Sequence, residues 1–511
     1  MSKPLTTAIA LFAACALPVT GSRADWNQFR GPNGSGVAAD AQPPVDIGPE
    51  NLAWKIPLPA GLSSPSLSAD RVFLTGVEDG RLVTLAFEKS TGKLAWRALA
   101  PQSTIEKVHE ASSPATPTPL VDDQQVYVYF GSFGLLCYDH DGNEVWRKPI
   151  ATPKSLYGMA TSPITHGGLV ILVLDTDDNL PGSKLSASRV IAVQAADGKT
   201  AWEIQRPYHR SAWSVPIIWK HDDGTELVVL GSGRVAGYDL DTGEKKWFAN
   251  GFSRETIAVP VAGDGKVYAA AAMLGGSGDE QPDPQPFWQA VMQFDKNADQ
   301  KLERGEMTAG FTWPLRPELP VGHPGYGLPI PKEEGPARKR RLDGMFGWVD
   351  KDRDGFWTEE EFTRNASGGR GKPILMAIRP GGEGDITESH VDWQLHRGVP
   401  EIPSPVYFDE RIYMVRKGGL VNAVDTASGD VIYRERIDGA PGQYSASPVI
   451  AGGQLYAVSS LGVISVIATG DDFEVAHQHD LGEAVHVTPA IDRDTLYLRG
   501  EKHLWAFRRR L

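Results

Sequence analysis

A unit that begins with a proline recurs eight times along the chain, and this repeat constrains the fold more than any other feature of the sequence. In each unit a turn separates two runs of β-forming residues, as Gly452 and Gly453 do in residues 447–458. The 55 glycines and 38 prolines also favour many short strands over long helices. The unit at Pro216 is stretched by the loop HDDGTE. The other seven have an apolar or aromatic residue eight positions after the proline: Pro65/Phe73, Pro119/Tyr127, Pro163/Ile171, Pro260/Tyr268, Pro405/Tyr413, Pro448/Tyr456 and Pro489/Tyr497.

A second signature closes most units, namely a turn glycine followed four positions later by an aromatic residue. A glycine at this position permits the positive φ of a tight hairpin turn. A large aromatic at a fixed place in every unit is expected to pack between adjacent sheets. Four strands in each unit of about 43 residues predict an all-β, eight-bladed β-propeller. The pairs are Gly92/Trp96, Gly142/Trp146, Gly198/Trp202, Gly243/Trp247 and Gly429/Tyr433.

The two ends of the chain indicate how the propeller closes. The last unit offers strands at residues 495–498 and 503–507 and then stops one strand short. Residues 51–58, which include Trp54, precede the first proline without a blade of their own. We therefore expect this N-terminal strand to complete the eighth blade, with seven or nine blades as the alternatives.

The tryptophan-bearing units, such as residues 190–202 and 235–247, resemble the pyrroloquinoline-quinone (PQQ) repeat. This repeat occurs in quinoprotein dehydrogenases and in BamB-like outer-membrane assembly factors, and the resemblance covers roughly residues 50 to 275 and 374 to 511. The opening WNQFRGPNGSG at residues 26–36 also resembles the start of exported PQQ-repeat proteins. The resemblance implies a propeller architecture and leaves cofactor binding open.

One step of the repeat, from Pro260 to Pro405, is about 100 residues too long and must contain an insertion. The predicted organisation is a signal peptide (1–24), an N-terminal extension (25–50), a first propeller part (51–275), an EF-hand insertion (276–373) and a second propeller part (374–511). Flanking helices are expected at residues 286–294 and 336–349, each beginning with proline at a tolerated position.

Residues 350–361 of the insertion fit the twelve-residue EF-hand calcium loop. Calcium requires six or seven oxygen ligands, which such a loop supplies from side chains at positions 1, 3, 5, 9 and 12 and from a carbonyl at position 7. Gly355 stands at position 6, where the chain must turn sharply. The predicted ligand residues are Asp350, Asp352, Asp354, Phe356, Thr358 and Glu361.

Residues 295–306 offer a similar set of oxygens, but Gln300 replaces the glycine, and we expect weaker binding. Leu302 and Trp357 occupy position 8 of the two loops and are expected to pair across a short two-stranded contact. Calcium is usually plentiful outside the cytoplasm, so even weak calcium sites would stay occupied there and act as structural ties. The predicted ligand residues of this first loop are Asp295, Asn297, Asp299, Lys301, Glu303 and Glu306.

The N-terminus has the pattern of an export signal: Lys3, an apolar run at residues 8–19, and small residues at Ser22 and Ala24. We expect cleavage after Ala24 and a periplasmic or secreted protein, with lipid attachment at Cys15 as the alternative. No later run is long and apolar enough to cross a membrane. Because Cys137 is the only other cysteine, the mature chain is expected to have no internal disulfide.

The leading functional hypothesis is a calcium-binding scaffold for a protein or cell-envelope partner. A net charge of −13 disfavours nucleic acid as a partner. No catalytic site is identifiable; the quinoproteins that the chain resembles use adjacent cysteines against PQQ, whereas Cys137 stands alone. A PQQ-dependent oxidoreductase is the first alternative, and polysaccharide or cell-surface recognition is the second. The sequence does not define the oligomeric state.

Overall fold

Eight antiparallel sheets, each with four main strands, form the propeller in the computed structural model, as the repeat predicts. The structure describes residues 26–101, 104–182, 185–253, 255–272, 284–314, 321, 327–366 and 373–510. The predicted signal peptide, with Cys15 and Ala24, lies outside these residues, so cleavage and lipid attachment stay predictions. The few helices are short and lie mainly in the insertion.

The blades follow the prolines in order. Blade 1 consists of Ser66–Leu67, Arg71–Glu78, Arg81–Glu88 and Leu94–Leu99, and blade 2 of Leu120–Val121, Gln125–Phe130, Gly134–Asp139 and Glu144–Pro149. Blade 3 consists of Ile164–His166, Leu169–Leu174, Arg189–Gln194 and Thr200–Gln205, and blade 4 of Ile217–His221, Gly224–Gly231, Arg234–Asp239 and Lys245–Asn250. Blade 5 consists of Val261–Gly263, Lys266–Ala271, Ile374–Ile378 and Val391–Leu395, and blade 6 of Val406–Phe408, Arg411–Arg416, Leu420–Asp425 and Val431–Arg436. Blade 7 consists of Val449–Ala451, Gln454–Val458, Val463–Ala468 and Val475–Asp480, and blade 8 of Ala490–Asp492, Thr495–Arg499, His503–Arg508 and Leu52–Pro57.

The N-terminal strand closes the propeller. Leu52–Pro57 pairs antiparallel with His503–Arg508, with Lys55 opposite Trp505. This strand is the fourth of blade 8, so residues from both ends of the chain share one sheet. The predicted closure is confirmed.

Tryptophan side chains join neighbouring blades, as the second signature predicts. The Trp202 indole of blade 3 packs on Gly243 of blade 4, where a Cβ would lie 2.5 Å from the indole. Trp202 Nε1 also donates a hydrogen bond to the Leu240 carbonyl at 3.0 Å. The same contact recurs at four other junctions, through Trp54/Gly92, Trp96/Gly142, Trp146/Gly198 and Trp393/Gly429.

The junction between blades 4 and 5 departs from this rule. In blade 5 the connection between the third and fourth strands is long, and its segment Gly384–Asp385 pairs parallel with the edge of blade 4. The Trp247 indole therefore lacks the usual glycine turn and instead donates to Glu226 Oε2 within its own blade at 2.6 Å.

Hydroxyl groups that precede the prolines form a second set of contacts between blades. The Ser404 backbone N–H donates to Ser447 Oγ at 2.9 Å, and the Ser447 N–H donates to Thr488 Oγ1 at 3.0 Å. Ser64, Thr118 and Ser162 are linked in the same way on the other side of the propeller. In blades 1 to 3 and 6 to 8, the residue before the blade-opening proline thus takes part in a hydrogen bond to a neighbouring blade.

The segment after the predicted signal peptide, residues 26–51, forms an N-terminal arm along the inner strands. Four blades donate the backbone N–H of the second residue after their proline to this arm: Leu67 to the Trp26 carbonyl, Val121 to the Asn27 carbonyl, Ile218 to Asn33 Oδ1 and Ile450 to the Gly36 carbonyl, at 2.7–2.8 Å. Arg30, fully buried, donates to the Pro405 carbonyl of blade 6 at 2.7 Å. The arm thus occupies the centre of the propeller.

Glycine turns that receive a tryptophan are predicted to be more sensitive than other glycine turns. Gly243→Ala should lower the free energy of unfolding by about 2 kcal/mol more than Gly265→Ala. Both glycines have a φ above +70°, so both variants bear the strain of about 1 kcal/mol of a left-handed alanine. Only the Gly243 variant must also displace an indole, because nothing lies within 4 Å of a Cβ at Gly265. Urea unfolding of the two variants measures the difference, and equal losses would contradict it.

Candidate functional site

The insertion leaves blade 5 between its second and third strands and has a hydrophobic core of its own. It contains α1 (Pro284–Met292), α2 (Pro336–Val349) and α3 (Glu359–Ala366). The predicted helix at 336–349 matches α2, whereas α1 begins and ends two residues earlier than expected. Trp357 lies at the centre of the core, 5.6 Å from the Phe346 ring. None of the buried residues in this cluster belongs to the propeller.

The two acidic loops meet at the short contact that the sequence predicts. Leu302–Glu303 pairs antiparallel with Phe356–Trp357, and Leu302 lies opposite Trp357. The first loop ends in a single 3-10 turn, Arg304–Glu306, whereas the last residues of the second loop already belong to helix α3. The strand pair therefore places the two loops side by side.

In the second loop, the first and last acidic residues turn toward each other. Carboxylate oxygens of Asp350, Asp352 and Glu361 lie within 4.8 Å of one another. Glu361 accepts the backbone N–H groups of Lys351 and Thr358, each at 3.2 Å, which fixes its carboxylate across the loop. Gly355 has a φ of +93°, as a sharp turn at position 6 requires.

The second loop fits a bound cation. Asp350 is only 7% exposed, and its Oδ1 has no hydrogen-bond partner among the described residues. Burying a carboxylate oxygen without a partner is costly, and bringing three carboxylates together adds repulsion. A hard divalent cation would relieve both costs, since calcium takes oxygen ligands of this kind.

The first loop has a similar but less regular arrangement. Glu306, which is buried, accepts the Lys296 N–H at 2.7 Å and the Glu303 N–H at 3.0 Å. Asp295 and Asn297 accept backbone N–H groups within the loop. Gln300 takes a φ of +65°, a strained value for a residue with a side chain. This strain agrees with the expectation of weaker binding.

The basic run at residues 338–341 divides into two parts. Arg338 is buried and donates to the Pro331 and Met307 carbonyls at 2.8 and 3.1 Å, so it holds α2 against the rest of the insertion. The next three residues are exposed.

The insertion projects from one face of the propeller, which we call the loop face. Because the strands of a blade are antiparallel, the connection from the second to the third strand lies at the same end as the connection to the next blade. Two large apolar residues are exposed on neighbouring connections of this face: Leu156, between blades 2 and 3, is 63% exposed, and Tyr208, between blades 3 and 4, is 68% exposed.

Glu106 lies on the connection between blades 1 and 2, at the same face. Its carboxyl group is partly buried, and Oε1 has no hydrogen-bond partner among the described residues. Burial raises the pKa of Glu106 to about 7. This residue carries no sequence motif, so only the folded arrangement distinguishes it from other acids.

A buried ionic cluster lies near blade 3, and no sequence motif marks it. Arg206 Nη1 lies 3.5 Å from Asp175 Oδ1, and both side chains are almost completely buried. Burial raises the pKa of Asp175 to about 6, while the Arg206 charge opposes this rise. His209 Nδ1 lies 3.1 Å from Arg206 Nη2, and burial, with the Arg206 charge, lowers the pKa of His209. Residues this far apart in sequence leave no local pattern.

The cysteine chemistry that the quinoprotein resemblance implies does not fit this chain. Cys137 lies buried in the third strand of blade 2, where its Sγ is 3.4 Å from Gln125 Oε1. A pair of adjacent cysteines does not occur in the sequence. In the described part of the chain, no helix has the length and apolar character needed to span a membrane.

Comparison with known proteins identifies the repeat family. The family described as outer membrane protein assembly factor BamB matches residues 45–173, 116–275 and 383–510. No curated protein sequence gives a significant match.

Solved structures share the fold at low identity. BamB from Moraxella catarrhalis is 11% identical, with a TM-score of 0.50, and the alignment covers 90% of this chain and 97% of that one. The quinohemoprotein alcohol dehydrogenase ADHIIG from Pseudomonas putida HK5 is 12% identical, with a TM-score of 0.51 and coverage of 95% and 80%. The computationally designed protein Ika8 is 10% identical, with a TM-score of 0.50 and coverage of 93% and 99%.

Glu106 is predicted to make the stability of the protein depend on pH. Its pKa is higher in the folded than in the unfolded chain, so folding favours the protonated form. Stability from this group is complete below its ordinary pKa of 4.5 and is lost as the pH rises through about 7. Glu106→Gln should therefore raise the thermal midpoint relative to the wild type at pH 8.5 more than at pH 5. Glu110→Gln, at an exposed carboxylate of the same connection, is the control for the loss of a charge without burial.

Proposed function

Because the chain belongs to the family of outer membrane protein assembly factor BamB, we propose that it is an exported scaffold of the cell envelope whose loop face binds a protein partner. The exposure of Leu156 and Tyr208 on neighbouring connections carries this proposal. Large apolar side chains in water are favourable anchors for a partner, and aromatic residues are frequent in such contacts. The N-terminal arm already occupies the centre of the propeller, so the surrounding loops offer the accessible surface.

Calcium is proposed as a structural ligand of the insertion. The second loop would hold it through the side chains of Asp350, Asp352, Asp354, Thr358 and Glu361 and the carbonyl of Phe356. The buried, unpartnered Oδ1 of Asp350 supports this assignment. The first loop would bind a second ion more weakly, because Gln300 stands where a glycine relieves strain.

Calcium would act on the insertion in two ways. It would neutralise the repulsion among the carboxylates, and it would link the loop end that precedes Phe356–Trp357 to helix α3, where Glu361 lies. Because Trp357 is central to the insertion's core, ordering this loop would order the packing around it.

The calcium proposal predicts a sharp difference between two neighbouring glutamates. Glu361→Gln should weaken calcium binding to the second loop at least about tenfold, because it removes charge from the bidentate ligand. Glu360→Gln changes a residue at position 11 of the loop, which supplies no ligand, and should leave the affinity unchanged. Isothermal titration with calcium measures both. Equal affinity in the two variants would overturn the assignment of this loop.

The partner surface can be tested by placing charge on it. Leu156→Asp and Tyr208→Asp should each weaken partner binding about 30-fold, because loss of an apolar anchor costs about 2 kcal/mol. In cells without the wild-type protein, these variants should fail to restore the amount of outer-membrane proteins. Leu94→Asp is the matched control, because Leu94 is 51% exposed on the outermost strand of blade 1. If both loop-face variants restored the amount of outer-membrane proteins fully, the proposed partner surface would be wrong.

A separate experiment tests the alternative that the protein is a PQQ-dependent oxidoreductase. Titration with PQQ, followed by its absorbance and by dye-linked oxidation of alcohols and sugars, should show neither stoichiometric binding nor turnover. Stoichiometric binding with turnover would replace the scaffold proposal with a quinoprotein.

A further inference from the structure

Three arginines project from one face of blade 6. Arg416 lies opposite Leu420 on the neighbouring strand, and Leu420 lies opposite Arg436 on the next. Arg434 lies opposite Asn422, one row further along. Residues directly opposite in a sheet share a face, as do residues two apart on one strand. Arg416, Arg434 and Arg436 therefore lie together, and we call them the arginine cluster.

The cluster lies at the loop face, beside blade 5. Arg416 is the last residue before the connection between the second and third strands of blade 6. Asn422 is fully buried and donates to the carbonyl of Gly398, on the connection from blade 5, at 2.7 Å. Arg434 Nε in turn donates to Asn422 Oδ1 at 3.0 Å. The guanidinium of Arg434 is thus held in place by a buried side chain between two blades.

The cations of the cluster are close enough to repel one another. Burial lowers the pKa of Arg416, and the charges of Arg434 and Arg436 lower it further. Burial and the charge of Arg397 lower the pKa of Arg434. Like charges this close are unfavourable unless an anion offsets them. Among the described residues, Arg434 and Arg436 make hydrogen bonds only to uncharged acceptors, a side-chain amide and a backbone carbonyl. The chain carries a net charge of −13, so a general excess of basic residues does not account for the cluster.

We propose that the arginine cluster binds the phosphate group of a small molecule or lipid at the loop face between blades 5 and 6. Guanidinium groups donate pairs of hydrogen bonds to oxyanions and keep their charge at every physiological pH. A phosphate directs its oxygens tetrahedrally and can accept from several guanidinium groups at once, which suits three arginines converging from two strands. Glu435 would not interfere, because it pairs with Val421 one residue away and so points to the opposite face.

Titration of the full chain with inorganic phosphate at constant ionic strength tests the proposal. The wild type should bind phosphate saturably, and Arg434→Gln and Arg436→Gln should each weaken binding at least about tenfold. Arg434→Lys, which keeps the charge but loses the planar fork, should also bind less tightly. Arg97→Gln is the control, because Arg97 is exposed on blade 1 and pairs with Glu78 at 2.7 Å. Thermal unfolding of each variant verifies that it is folded.

Two further measurements separate the sources of the phosphate and exclude a different ligand class. Vesicles with and without phosphatidylglycerol distinguish a lipid headgroup from a soluble phosphate; cluster-dependent binding of either kind supports the proposal. No saturable phosphate binding by the wild type, or unchanged binding in Arg434→Gln, would overturn it. Binding of a polyglutamate peptide in place of phosphate would also overturn it, since the surface would then belong to an acidic protein. These measurements use purified protein, so they do not depend on the proposed scaffold role.

Discussion

The pairing of Leu52–Pro57 with His503–Arg508 is the contact on which the rest of the structure depends. Each blade buries its two faces only against its neighbours, so an open propeller would expose two apolar sheets to water. The closing strand also carries Trp54, whose indole packs on Gly92 of blade 1 and donates to the Lys89 carbonyl at 3.0 Å. Closure therefore uses the same tryptophan contact that joins other blades, and it adds a full antiparallel ladder between segments at opposite ends of the sequence. Such pairing bears a high loop-closure cost, which the burial of both sheet faces must exceed.

Closure of the propeller also determines which of its surfaces stay accessible to a partner. The N-terminal arm runs from the inner strands to the closing strand, and its contacts with several blades satisfy backbone N–H groups that would otherwise face the channel. Asn33 shows the quality of this fit, since its side chain both accepts from the Ile218 N–H and donates to the Ile218 carbonyl at 2.7 Å. With the centre used for stability, the connections on the loop face are free to vary. The insertion, Leu156, Tyr208 and the arginine cluster all lie there.

The sequence was sufficient for features that repeat or that lie close together along the chain. Proline spacing predicted the number of blades, the turn glycines predicted the tryptophan contacts, and the loop positions predicted the pairing of Leu302 with Trp357. Apart from the closing strand, which the incomplete last unit predicted, features that join distant residues once only were missed. The arm's hydrogen bonds use the same position of four blades, but the arm itself has no repeat that would predict them. The Asp175–Arg206 pair and the arginine cluster have no period and no motif, because their geometry exists only after the blades are assembled. The Gly384–Asp385 strand was missed for a related reason: its partner is the edge of another blade.

The way in which the insertion joins blade 5 explains how the propeller accommodates it. The chain leaves the second strand after Ala271 and re-enters the third at Ile374, and these two residues face each other in the same ladder. A loop whose ends already lie side by side adds little closure cost as it lengthens, so the blade keeps its register. The hydrophobic core of the insertion contains no propeller residue, and the cores of the blades contain none from the insertion. The free energy of calcium binding would therefore stabilise the inserted unit itself, and unfolding of that unit would leave the pairing within blade 5 intact. Calcium would thus set the shape of the loop face without contributing to the closure of the propeller.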